Sequence, residues 1–102
     1  MPEDHPLIRD VLPELAAELV ELLEAEGEHT LAALVPELRL VGRCDCGDDF
    51  CQSLRTAPHP TGLPYGPGHR CVSLDPAEGM LVLDVVNGRI VYVEVLYRDR
   101  LR

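Results

Sequence analysis

The chain has 102 residues, 46% of them hydrophobic, and a net charge of −9, which is material for one domain with one core and too little for two. The acidic balance disfavours a nucleic-acid partner, because binding to phosphate backbones is driven by cationic side chains that release counterions. No run approaches the roughly 20 apolar residues a membrane span needs, and Met1-Pro2-Glu3-Asp4-His5 is acidic where a secretory leader would be basic, so a cytoplasmic protein is expected.

The charge is unevenly spread. Residues 1–37 hold ten acids and one Arg, whereas residues 38–102 hold eight acids and eight Arg. Within a single domain, 1–102, this separates an acidic helical part, 1–37, from a Cys-rich loop and β-sheet part, 38–102. All nine basic residues are arginine, a usage that suggests a GC-rich bacterial genome.

In chain order, Pro13 fixes φ and lacks an N–H, so it suits the first turn of a helix over 13–26 that stops at Gly27. Leu12, Leu15, Ala16, Leu19, Leu22 and Leu23 recur at three-and-four spacing and form one apolar stripe. The outer face carries Glu14, Glu18, Glu21 and Glu24. The plain reading of that face is a solvated surface; the sharper one is a docking face for a basic protein partner. Thr30 is a candidate cap for a second helix over 31–34, ended by Pro36 and its restriction on Val35. The two helices would form a hairpin.

Leu38, Leu40 and Val41 read as a first strand delivering the chain to Cys44, and residues 52–57 as another short one. Residues 58–68 hold four prolines and three glycines, too much restriction and too few donors for a regular element. Residues 71–75 alternate in strand fashion. Two β-rich runs, 80–86 and 89–97, then flank Asn87-Gly88, whose type I′ turn needs positive φ at both central residues. A tight hairpin register opposes Val86 to Arg89 and Asp84 to Val91. Val82, Asp84, Val86, Arg89, Val91, Val93 and Val95 then share one face, and Leu81, Leu83, Val85, Ile90, Tyr92, Glu94 and Leu96 the other. Both faces are apolar, so either helices and loop cover both or one is the interface of a symmetric homodimer, with the dimer the favoured expectation.

The overall expectation is α+β, with an N-terminal helical hairpin packed on a small antiparallel β-sheet ending in a β-hairpin. Chemistry is confined to one region. Cys44 and Cys46 are two apart and point the same way along extended backbone, Gly47 lets the chain turn, and Cys51 returns. His69 and Cys71 repeat the two-residue spacing. The set has zinc-ligand chemistry, with Cys44, Cys46, Cys51 and Cys71 as a four-thiolate site and His69 as the alternative fourth ligand. Free thiols, or a disulfide or redox pair, are the competing readings, although no C-x-x-C is present and a bridge across C-x-C would be strained. His5, His29 and His59 read as solvated. Asp45, Asp48 and Asp49 lack the order of a calcium loop and read as turn formers.

At Cys44-Asp45-Cys46-Gly47-Asp48-Asp49-Phe50-Cys51, Gly66-Pro67-Gly68-His69-Arg70 and the segment from Glu78 to Gly88, the chain resembles small uncharacterised bacterial proteins, over roughly the C-terminal 60 residues. The resemblance implies no activity and no site residues. The residues themselves support a non-enzymatic binding or adaptor domain with a structural zinc. The alternative is a small metal- or thiol-dependent enzyme, which needs an open metal position, a pocket and a perturbed titratable group.

Overall fold

The computed structural model describes residues 5–59 and 63–102. Expectations placed on 1–4 and on 60–62, in the middle of the Pro-rich loop, lie outside the described residues.

Pro13 opens the main helix as its restricted φ requires, and the helix, α2, spans Pro13–Ala25. It ends in a glycine-based cap: Gly27 sits at φ +77°, Gly27 N–H donates to Glu24 O, and Glu28 N–H reaches back to Leu23 O at 2.9 Å. These are the paired bonds of a Schellman motif, which satisfy carbonyls the helix leaves open. Five of the six stripe residues are buried, Leu12, Leu15, Ala16, Leu19 and Leu23 at 6% exposure or less, and Leu22 is half-buried against them. A four-residue helix, α1, Ile8–Val11, precedes it and is too short to leave a periodic signal.

The second helix, α3, spans His29–Leu34 and runs into a 3-10 turn at Val35–Glu37. Thr30 is not its cap. The Schellman motif fixes Glu28 as the entry residue, and no side chain caps that end. The Glu28 carboxylate instead takes both Arg70 guanidinium nitrogens, each at 2.9 Å.

Five strands make one antiparallel sheet: β1 Gly42–Arg43, β2 Leu54–Arg55, β3 His69–Ser73, β4 Met80–Val86 and β5 Arg89–Leu96. Their order is β1-β2-β5-β4-β3. The expected strand around Leu38–Val41 is displaced, because Leu7 bridges Arg39, Leu40 N–H donates to Pro6 O, and sheet pairing begins at Gly42. The Asn87-Gly88 turn forms as expected, with φ +50° and +81°.

The hairpin register is corrected by one residue. Val86 pairs with Arg89 and Val85 with Ile90, but Asp84 pairs with Tyr92, so Val91 is the extra residue of a β-bulge. Its carbonyl accepts Thr56 N–H at 3.0 Å, and the Ile90 carbonyl accepts the Thr56 hydroxyl at 2.7 Å. Beyond the bulge the alternation inverts. Val93 and Val95 join Leu81, Leu83, Val85 and Ile90 in the core, while Tyr92, Glu94 and Leu96 turn to the other face.

The core therefore lies between the helices and one sheet face, uniting Ile8, Leu15, Leu19, Leu23, Leu31 and Val35 with Leu54, Leu83, Val93 and Val95. Full burial of each such aliphatic side chain contributes about 1.5–3 kcal/mol before chain entropy is counted. The fold is α+β, with its helices on an antiparallel sheet. The opposite face is mixed. Gly42, Arg55, Tyr92, Asp84 and Cys71 form one paired row across all five strands. Val93 and Val95, expected on the face open to a homodimer, are fully buried in the core instead. Tyr65, from the Pro-rich loop, packs between His59 and His69 in tilted contacts with ring centroids 4.5 and 4.8 Å away.

Candidate metal centre

The segment between β1 and β2 returns to the sheet through its backbone rather than through regular structure. Cys44 N–H donates to Ser53 O at 2.9 Å, Cys51 forms a bridge with Leu96, and Gln52 N–H donates to Val95 O at 2.9 Å. Both ends of the loop are thus anchored. Gly47, at φ +81°, supplies the left-handed turn, and Cys51 N–H closes on Asp48 O at 3.1 Å.

As a result the ligand atoms of Cys44, Cys46 and Cys51 all lie within 4.8 Å of one another. Cys44 and Cys51 are half-buried and Cys46 is exposed; none of the four cysteines is in a disulfide.

The three thiols are not equivalent. Ser53 holds Cys51 below the usual thiol range through its hydroxyl, 3.3 Å from Sγ, and its backbone N–H; burial opposes this and the two neighbouring thiols assist. At Cys46 the backbone N–H of Asp48 favours the thiolate, but Cys44 and Cys51 outweigh it and push the thiol up to about 11. Thiolate charge is thus favoured at Cys51 and opposed at Cys46. A bound cation removes that opposition by neutralising the shared charge. Tyr92 stands beside the group, its phenol pushed up to about 12 by burial and by Cys44, against the effect of Ser53.

Cys71 and His69 do not join this group. They lie on β3, which is separated from β1 by the other three strands, and they gather with Asp84 of β4. His69 Nε2 is 2.8 Å from Asp84 Oδ1, and Cys71 Sγ is 3.4 Å from the same oxygen and 3.9 Å from Nε2. Asp84 holds the Cys71 thiol above its ordinary range, chiefly by hydrogen bonding, with burial and its negative charge adding to the effect. Strand order therefore splits the expected ligands: Cys44, Cys46 and Cys51 gather in one group, while Cys71 and His69 gather with Asp84 in another. Asp84 has no distinguishing local motif in the sequence; only its pairing opposite Cys71 brings it to the second group.

Three thiolates at one point suit zinc and other thiophilic ions and do not suit calcium or magnesium. A cleft of about 680 Å³ opens between Leu38 and Ile90, flanked by Arg39 and Arg89, and is lined by none of the cysteines. Among the described residues, no helix is long and apolar enough to cross a membrane. The chain matches no protein-family model, no curated protein and no solved structure.

Proposed function

We propose that this protein is a non-enzymatic cytoplasmic binding or adaptor domain in which zinc, held by Cys44, Cys46 and Cys51, fixes the segment between β1 and β2. The observation carrying this reading is the convergence of three sulfurs within 4.8 Å on a stretch whose only regular elements are the short strands at its ends. Zinc–thiolate bonds there replace the backbone ladder that the loop lacks. The group lies at the surface beside the stacked and exposed rings of Phe50 and Tyr97, centroids 4.9 Å apart, which suits docking better than enclosure of a substrate. Of the acidic face, Glu18 is half-buried and taken by Arg98, and the exposed Glu14, Glu21 and Glu24 are the surface offered to a basic protein partner.

A second reading, a small metal-dependent enzyme, draws on the division of the cysteines: three protein ligands leave a zinc position for water. Elemental analysis and thiol labelling of protein purified without added metal test both. The adaptor reading expects zinc that is lost in Cys46→Ser, with Cys44, Cys46 and Cys51 protected from alkylation until a chelator is added. Less than about 0.2 equivalents of zinc, with all four thiols reacting freely, overturns the metal reading. A zinc-bound water that exchanges rapidly and titrates near neutrality selects the enzyme.

A further inference from the structure

We propose that His69, Cys71 and Asp84 form a second, independent site for a divalent transition-metal ion, open on the sheet face away from the helices. The two β3 residues are two apart and share a face, and Asp84 is the direct cross-strand partner of Cys71 on β4. Three donors of different chemistry, imidazole, thiol and carboxylate, thus rise from neighbouring positions on paired strands. Their ligand atoms are 2.8, 3.4 and 3.9 Å apart. A tetrahedral ion at ordinary Zn–N, Zn–O and Zn–S lengths separates such atoms by about 3.3–3.6 Å. Side-chain shifts of roughly half an ångström admit it, with no change in the strands.

The geometry also argues against a thiol relay. In a Cys–His–Asp relay the carboxylate and the thiol address opposite ring nitrogens, one orienting the ring and the other surrendering its proton. Here Asp84 Oδ1 and Cys71 Sγ both approach His69 Nε2. Asp84 Oδ1 accepts from both Cys71 Sγ and His69 Nε2, and a cation can replace the two protons that now hold these three atoms together. On binding, Cys71 gives its proton to solvent and the His69 ring shifts its proton through solvent from Nε2 to Nδ1, which frees Nε2, Oδ1 and Sγ to take the metal.

The ring of His69 is already held against the tilted ring of Tyr65, which rests in turn against His59. Such outer contacts fix a ligand ring before the metal arrives. The mixed nitrogen, sulfur and oxygen set selects borderline ions such as zinc or cobalt(II) over calcium and magnesium. The two groups share no residue: Cys51 bridges Leu96 of β5 in the first, whereas His69, Cys71 and Asp84 stand on β3 and β4. The second site therefore does not rest on the first.

Cobalt(II) titration of the metal-free full chain, followed by ultraviolet and visible absorption, tests the proposal, with circular dichroism confirming that each variant folds. The expected result is one equivalent lost in Asp84→Asn and in Cys71→Ser, while the intense sulfur-to-cobalt band of the three-cysteine group persists in both. In Cys46→Ser that band falls and the equivalent that depends on Asp84 remains. Cobalt bound only at the His69 group supports this inference and overturns the three-cysteine reading. A single equivalent abolished by both Cys46→Ser and Asp84→Asn shows one shared site and overturns the inference. Binding unchanged by Asp84→Asn and Cys71→Ser overturns it as well, leaving a hydrogen-bonded surface cluster.

Discussion

Ser53 Oγ accepts the backbone N–H of Val95 at 3.0 Å, so one small hydroxyl ties the end of the cysteine loop to β5. Ser53 is 1% exposed and is the only buried polar side chain among the described residues. Its oxygen also accepts from the Cys51 thiol at 3.3 Å, and once Cys51 ionises the hydroxyl donates to Sγ instead, the bond that favours the thiolate. Ser53→Ala is expected to cost about 1–3 kcal/mol in urea denaturation, the penalty for a buried N–H left without a partner. The same change should raise the Cys51 thiol pKa in metal-free protein, read from ultraviolet thiolate absorbance, because a hydrogen bond that favours the thiolate has gone.

The bulge at Val91 makes neighbouring valines behave differently. Val93 is 0% exposed and pairs with Leu54 on one side and Leu83 on the other, whereas Val91 is half-buried and unpaired. Val93→Asp should cost more than about 3 kcal/mol, since it places a carboxylate in the core without a partner. Val91→Asp should cost about 1 kcal/mol or less. Equal effects in thermal denaturation would contradict the bulged register.

Gly79 is needed for two separate reasons. Its φ is +70°, and a Cβ there would stand 2.4 Å from Leu96 O and 2.6 Å from Tyr97 O, atoms of the backbone that cannot swing away. Gly88 shares the positive φ, +81°, but a Cβ there meets nothing within 4 Å. Gly88→Ala should therefore show only the conformational cost, about 1–2 kcal/mol. Gly79→Ala should exceed it, with altered amide shifts at Leu96 and Tyr97 in NMR spectra.

The pair between Glu28 and Arg70 joins the helix connection to β3. Arg70 holds the Glu28 carboxyl below its ordinary range chiefly by hydrogen bonding, which outweighs the opposing desolvation, and its charge adds to the lowering. A depressed carboxyl pKa contributes stability above the unfolded value, and that contribution disappears as pH falls through the folded value. Glu28→Gln should thus be less stable than the parent protein at pH 7, and the difference should vanish in acid. Urea titrations at neutral pH and below the folded carboxyl pKa check the sign.

Local signals located the main helix, the Asn87-Gly88 turn and the three-cysteine group. Each depends on residues a few positions apart: the stripe from Leu12 to Leu23, the positive-φ preference of Asn-Gly, and the same-side projection of Cys44 and Cys46 before the Gly47 turn. The α3 entry was misplaced at Thr30 because the bonds from Gly27 and Glu28 back to the end of α2 start the next helix at Glu28.

The sequence by itself determined an α+β domain with an amphipathic helix, a tight hairpin and a thiol cluster, because dihedral preference and hydrophobic period act within a few residues. Only the tertiary structure decided which faces and ligands meet. Thr56, on the chain just after β2, engages the carbonyls around Val91, and the resulting bulge sends Val93 and Val95 into the core. The order β1-β2-β5-β4-β3 places Cys71 away from Cys44 and opposite Asp84. Strand order and register are set by pairing between distant segments and by burial of the whole sheet face, energies to which no short stretch of sequence corresponds.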